Sequence, residues 1–377
     1  MVAETRRCRR SRSRKHRPAQ KPHCHRVKHH VTTLMNCQPF SVFVLSVLFF
    51  FPRPTGANPY LPKPGEAPIK IRLGTCSLTG AFIHIGTALD NGIFDKYGLR
   101  VEHIAFRGSG VSLAALNADE IQFLSCAASA TLPGIVTGID AKIIGSQLVG
   151  LPWVVLGQSD IRSPTDLKGK TIAVSRAGDL SHRLALEVLK KFKISPRDVT
   201  IQPVGGTGQI EGYRAMVSDQ VQAVLVSPPL DAIAKRDGFN IVYRLKELGI
   251  PFVYSSLHAN TKSILTRPLA VQKFVAAIAD TLHFADRNPA KAQAALAKAM
   301  KLTDIESLQT TYEAFAKTIA NRPMTVPIGA IEEMIEHARE AGTQARKKAI
   351  DIVDNRFAED LTKSGFLTEL WGKELSK

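Results

Sequence analysis

The chain has 377 residues, 44% of them hydrophobic, enough for a large core and two domains. Its formal charge of +17 does not signal a nucleic-acid partner: residues 1–35 hold 11 Lys/Arg against Glu4 alone, so they carry +10 of it. No aromatic residue is interleaved with those arginines, so they offer no base-stacking surface, and no nucleic acid is expected to bind.

The basic leader runs into Phe40 to Phe51, FSVFVLSVLFFF. These 12 residues are too few to span a bilayer comfortably and suit the core of a secretory signal. Thr55-Gly56-Ala57 offers small residues for cleavage; an uncleaved anchor is the other reading. A start at Met35 would leave no basic residue before the apolar core. Residues 1–57 are therefore read as leader and signal, and the location as periplasmic or extracellular. Prolines 52, 54, 59, 62, 64 and 68 follow, so residues 58–68 are expected to be an extended linker. Cys8, Cys24 and Cys37 fall in the leader, leaving Cys76 and Cys126. Each follows a predicted strand. A bridge needs those strands to be neighbours, and adjacent parallel strands rarely meet the geometry. No Cys/His spacing resembles a zinc site, and neither metal nor cofactor is expected.

From Ile69 the pattern alternates strand and helix. Predicted strands are Ile69–Gly74, Leu99–Phe106, Ile121–Ser125, Ala141–Gln147 and Val154–Leu156, with helices from Ala81, Val111 and about Thr131 between them. A second series begins at Thr171–Val174 and continues through Val199–Val204, Ala223–Val226, Ile241–Tyr243 and Phe252–Leu257. Its helices start near Leu180, Ile210 and Pro228. From Pro268 on, the pattern is all helix. This is an α/β fold with mainly parallel sheets and a helical carboxy-terminal region.

Ligands in such sheets bind outside the carboxyl ends of the strands. Here those ends are small and polar: Ser77 to Gly80, Gly108 to Gly110, Cys126 to Ser129, Ser175 to Asp179, Gly205 to Gly208 and Ser227-Pro228. Gly and Ser allow close backbone approach and supply N–H and O–H donors. Candidate ligand contacts are Ser77, Gly80, Phe82, Ser109, Ala127, Ser129, Ser175, Arg176, Gly178, Gly206 and Pro228. Arg176 would serve as counter-ion to a carboxylate, sulfonate or phosphate, or else is a solvated loop residue. His84 and His182, each near the start of a helix, could bond a ligand but read more readily as packing or surface residues. Trp153 and Tyr254 read as core or hinge aromatics. GxGxxG, GxxxxGK[ST] and GxSxG are absent, and no nucleophile–base pair or carboxylate pair can be picked out, so no catalytic residue is assigned.

Three stretches carry a family resemblance. Ala88-Leu89-Asp90-Asn91-Gly92-Ile93-Phe94-Asp95-Lys96-Tyr97-Gly98-Leu99-Arg100-Val101-Glu102 is similar to an "A…GFF…K.GL.VE" segment. Leu113 to Phe123 is similar to "…AL..GE.DF", and Ile161 to Val174 to "I.SP.DLKGK.I.V". Together they resemble the periplasmic substrate-binding proteins of the nitrate/sulfonate/taurine and thiamine-pyrimidine-precursor type, which serve bacterial ABC importers. The resemblance covers about residues 69–365. It implies a two-lobed periplasmic-binding-protein fold of type II, with lobe one at 69–155 completed by about 255–377, and lobe two at 160–250. Crossing segments would lie near Leu151–Asp160 and Gly249–Leu257. It implies a monomer that closes on a small organic solute and hands it to an ABC permease, without being an enzyme. Gln122 stands where the family commonly has Asp, and Asn117-Ala118-Asp119 replaces a glycine-containing turn. Ser77 to Gly80 lacks the aromatic residue of many pyrimidine binders, which favours a small organic anion such as a sulfonate or carboxylate. Two alternatives remain: an enzyme on the same scaffold, with His84 or His182 paired to a carboxylate in the cleft, and a sensor docking to a membrane receptor.

Overall fold

The computed structural model describes residues 58–77, 79–177, 180–205 and 209–375. The leader and apolar run expected to form the export signal, and candidate residues Gly178 and Gly206, lie outside the described residues.

Lobe one opens with β1 (Ile69–Thr75), α1 (Ile83–Asp90), α2 (Ile93–Lys96), β2 (Leu99–Ala105), α3 (Ser109–Asn117), β3 (Phe123–Ala127), α4 (Ala128–Thr137) and β4 (Lys142–Val149). The chain then crosses to lobe two: β5 (Val154–Gly157), β6 (Thr171–Val174), α5 (Leu180–Lys191), β7 (Thr200–Pro203), α6 (Gln209–Val217), β8 (Ala223–Val226), α7 (Leu230–Arg236) and β9 (Asn240–Arg244). It returns through β10 (Val253–Ala259) to a helical tail: α8 (Thr261–Thr266), α9 (Pro268–Arg287), α10 (Pro289–Met300), α11 (Ile305–Tyr312), α12 (Ile328–Glu340), α13 (Ala349–Ile352), α14 (Arg356–Lys363) and α15 (Phe366–Trp371). A π-helical stretch, Glu313–Thr318, continues α11.

Two five-stranded sheets result, ordered β2-β1-β3-β10-β4 and β7-β6-β8-β5-β9. Each has one reversed strand. β10 runs antiparallel to β3 and β4, and β5 runs antiparallel to β8 and β9. In both cases the reversed strand is the one arriving from the other lobe, so the two crossings account for the mixed character of both sheets. The two crossings lie side by side: the Gly150 N–H donates to Phe252 O at 2.7 Å, and the Leu245 N–H donates to Trp153 O at 2.9 Å. Gly150 has φ +130°, and a Cβ there would stand 2.9 Å from Ile319 Cγ2, so the first crossing needs glycine at this point. The change of sheet comes between Val149 and Val154, earlier than the expected lobe-one limit of 155. The cause is pairing: Val154 and Val155 sit opposite Val226 and Leu225, inside the second sheet.

The buried run Ala223–Val226 suits a strand covered on both faces. In lobe one, α9 takes the same central place. Its Phe274 stacks on Phe123 with centroids 4.3 Å apart, and on Phe94 at 6.1 Å. Fully buried Lys273 is neutralised by Glu66, Nζ to Oε1 2.9 Å. Tyr60 is buried against Phe366, ring to ring 5.2 Å, and its hydroxyl meets Ser364 Oγ at 2.8 Å. Residues 58–68 are therefore not a free linker. Their prolines exclude helix and strand, yet Tyr60 and Glu66 fasten the segment to the carboxy-terminal helices and to α9.

Candidate ligand-binding cleft

A cavity of about 570 Å³ opens between the lobes. The first turns of three helices reach it: Ser129 and Ala130 of α4, Leu180 and Ser181 of α5, and Gln209 of α6. Ala127 and Trp153 line it too, and Met334 and His337 of α12 close it from the carboxy-terminal side. Each helix presents the positive end of its dipole at its start. Ala127, the N-cap of α4, provides no side-chain cap. Three such ends around one cavity favour an anionic or acceptor-rich group.

Side chains add oriented donors. Gln209 Oε1 accepts from the Ser227 N–H at 2.8 Å and the Ser227 hydroxyl at 2.9 Å. That fixes the amide and leaves its NH₂ without a partner among the described residues. Ser175 Oγ lies 3.2 Å from Ser181 Oγ, and the Ser175 N–H donates to Ser181 Oγ at 2.9 Å, which ties the end of β6 to the start of α5. Buried Trp153 also lines a second cavity of about 120 Å³, with Pro228, Asp231 and Arg244. Its Nε1 approaches the Tyr254 hydroxyl without reaching hydrogen-bond geometry. Burial pushes the Tyr254 phenol up, and Trp153 and Ser227 offset part of that. Burial likewise raises the Asp231 carboxyl.

Beneath α4 lies a fixed polar link. His258 is fully buried on β10, and its Nδ1 faces Leu124 O at 3.2 Å while its Nε2 meets Thr131 Oγ1 at 3.0 Å. The carbonyl places the proton on Nδ1. Burial pulls this imidazole down to about 4, so it stays neutral and anchors the first turn of α4. Alongside, Cys76 and Cys126 form a disulfide, Cα to Cα 5.4 Å, joining the carboxyl ends of adjacent parallel strands β1 and β3. It fastens the chain where it leaves β1 and where β3 passes directly into α4.

Of the sequence candidates, Ala127, Ser129 and Ser175 line the main cavity and Pro228 lines the smaller one. The others lie elsewhere. Gly80 is packed beneath α11 and the π segment, where a Cβ would come within 2.3 Å of Thr311 Cγ2. Phe82 belongs to the lobe-one core. Ser77 and Ser109 are half-buried and do not line the cavity, and Arg176 is exposed outside it. His84 is fully buried with no partner for either ring nitrogen, and half-buried His182 does not line the cavity. Sequence reasoning missed Gln209, Ser181, Met334 and His337. Gln209 could have been found as the first helical residue after the glycine-rich strand end. Met334 and His337 carry no local signal.

Two lobes, two crossings and a cavity between the lobes define a two-lobed α/β scaffold. The chain belongs to the NMT1/THI5-like family, whose model matches residues 80–292. A putative ABC transporter periplasmic binding protein of Brachyspira hyodysenteriae is 29% identical over 179 residues, 43% of this chain. The match spans about half the length of that relative, 50%. The alkanesulfonate-binding protein SsuA of Xanthomonas axonopodis pv. citri, solved with MOPS bound, aligns with TM-score 0.58 and 19% identity, covering 77% of this chain and 99% of that one. The aliphatic sulphonate binding protein SsuA of Escherichia coli aligns with TM-score 0.63 and 17% identity, covering 76% and 97%. These likenesses establish the two-lobed periplasmic-binding-protein fold.

Proposed function

We propose that the chain is an exported solute-binding protein, not an enzyme, that holds a small organic molecule with an anionic head between its lobes and delivers it to an ABC import permease. One observation carries this reading: the first turns of α4, α5 and α6, drawn from both lobes, line one cavity. Such a site gains contacts from both lobes only when they come together, so ligand stabilises the closed arrangement. The relatives support the class, one being a putative ABC periplasmic binding protein and two being sulfonate binders. A periplasmic or extracellular location follows from that class and from the apolar run after the leader. Ser129, Ser175 and Gln209 are proposed to bond the head.

Calorimetric titration of the purified protein with alkanesulfonates, aromatic carboxylates and pyrimidines tests the reading. Saturable binding of a sulfonate or carboxylate is expected, weakened about ten-fold by Gln209→Leu, as for the loss of a hydrogen bond to a charged group. Binding of none of the three classes would sink the proposal. Turnover of a bound compound would move it to the enzyme alternative.

A further inference from the structure

One buried carboxyl stands between the lobes and takes no part in the main cavity. Asp231, in the first turn of α7, is 3% exposed, and its Oδ1 has no hydrogen-bond partner among the described residues. It lines the cavity of about 120 Å³, whose walls come from both lobes. Pro228, Arg244 and Lys246 belong to lobe two, and Leu151–Val154 is the first crossing. Thr310, Glu313, Ala314 and Thr318, on α11 and the π segment, are the lobe-one wall. Parting the lobes takes that wall away and lets water in to Asp231.

The charges around Asp231 divide by lobe. Arg244 and Lys246 are exposed on lobe two, travel with Asp231, and form no ion pair with it among the described residues. Glu306 and Glu313 are exposed on lobe one and face it only while the lobes are together. On its own helix, Lys235 is exposed and Arg236 is taken up by Asp304. On α6, Glu211, Tyr213 and Arg214 do not line the cavity, and β5 carries no charge. Chiefly through burial, and with Glu306 adding to it against Arg244, the Asp231 carboxyl is held above the ordinary carboxylate range.

Resting on the hinge of the reading above, we propose that Asp231 makes closure proton-linked: the lobes come together more readily when its carboxyl is uncharged. Charged, it gives up water on closing and meets like charge across the gap, and both oppose the shut arrangement. Closing therefore takes up a proton, and acid drives closing. In the parted arrangement Asp231 is hydrated and lies nearer the ordinary 3.8. The gain in closure is full below that value and is lost as pH rises through the raised value of the shut arrangement. One proton changes the shut-to-open ratio by at most about ten-fold per pH unit.

Solution scattering on the purified, ligand-free protein at pH 7 and pH 5, at constant salt, tests this. Asp304, lowered to about 2, does not titrate in that window. The radius of gyration should be smaller at pH 5 than at pH 7. Asp231→Asn, which cannot ionise, should show the smaller radius at both. Glu313→Gln, at an exposed position of lobe one, should narrow the step, and it decides the matter if Asp231→Asn does not fold. A native radius that does not fall with acid, a step that survives Asp231→Asn, or a step left at full size by Glu313→Gln overturns the proposal. Each of these outcomes leaves the solute-binding reading standing, because calorimetric titration decides that separately.

Discussion

At the scale of single residues, the sharpest contrast is between two buried histidines. His258 has a carbonyl on one nitrogen and a hydroxyl on the other. His84 is as deeply buried, and neither ring nitrogen has a partner. Burial alone pulls His84 from 6.5 to about 3. Its folded value is thus depressed, so the unfolded chain binds the extra proton first. The corresponding stability is fully present above about pH 6.5 and is lost as pH falls towards 3, and His258 adds in the same direction down to about 4. Urea-unfolding midpoints should therefore hold steady above pH 7 and fall between pH 6.5 and 5. His84→Leu removes an unsatisfied buried polar group, which costs about 1–3 kcal/mol. The variant should be at least as stable as the native protein at pH 7, with a shallower fall below it. A loss above about 2 kcal/mol at pH 7 with an unchanged slope would mean that the imidazole has a partner in solution. Residue identity alone could not reveal any of this. His84 reads as a helix-start histidine, and only the packing of α1 against α9 and α10 shows that it is enclosed.

Among elements, the disulfide explains how lobe one presents its half of the cleft. It closes a loop of 50 residues in sequence and joins the end of β1 to the end of β3, where α4 begins. A cross-link of that span stabilises by about 2–4 kcal/mol. Cys76→Ala/Cys126→Ala should lose about that much in urea unfolding, whereas a loss below about 1 kcal/mol would show that the sheet alone holds these ends. The elements themselves were largely legible. Thr171–Val174 and Ala223–Val226 match the sequence reading end to end, because β-branched and apolar runs are local signals. Short helices were not legible one by one: Ile93–Lys96 and Thr261–Thr266 were not read as helix, and Ala349–Ile352 and Phe366–Trp371 were not told apart within the helical tail. None is long enough to show a period, and tertiary contacts hold them, such as those of Phe366 with Tyr60 and Tyr97. The site was half legible. Strand-end loops pointed to Ala127, Ser129 and Ser175, but the same rule also selected Gly80 and Phe82, which the π segment and the lobe-one core cover. Met334 and His337 come from a helix about 200 residues beyond β3, and only the return of the chain brings them to the cleft.

For the whole molecule, the question is what sets the balance between open and shut. Besides the crossings and the cleft walls, the lobes meet where α7 lies against α11. Arg236 Nη1 stands 2.5 Å from Asp304 Oδ2 and 3.9 Å from Glu306 Oε2. Of the ion pairs between described residues, this group alone joins the lobes. Asp304 is also the N-cap of α11, accepting from the Ser307 N–H at 2.8 Å, so the carboxylate is held in place before Arg236 arrives. Chiefly through Arg236, and with help from Ser307, its pKa is lowered to about 2. Asp304 therefore remains charged across pH 4–7, and acid in that range should not release the contact. Salt should, because the pair is exposed to screening. An exposed pair shifts an equilibrium by only a factor of about two to five, but a hinge poised near balance converts that factor directly into population. Arg236→Ala is thus expected to raise the radius of gyration of the ligand-free protein in solution scattering and to weaken ligand binding two- to five-fold. Raising salt from 0.05 to about 0.5 M should have the same effect on the native protein and almost none on the variant. An unchanged radius with unchanged affinity would mean that the crossings and the cleft walls alone set the hinge. A changed affinity at constant radius would place the effect of Arg236 in the cleft, through α7 and Pro228, and not in closure.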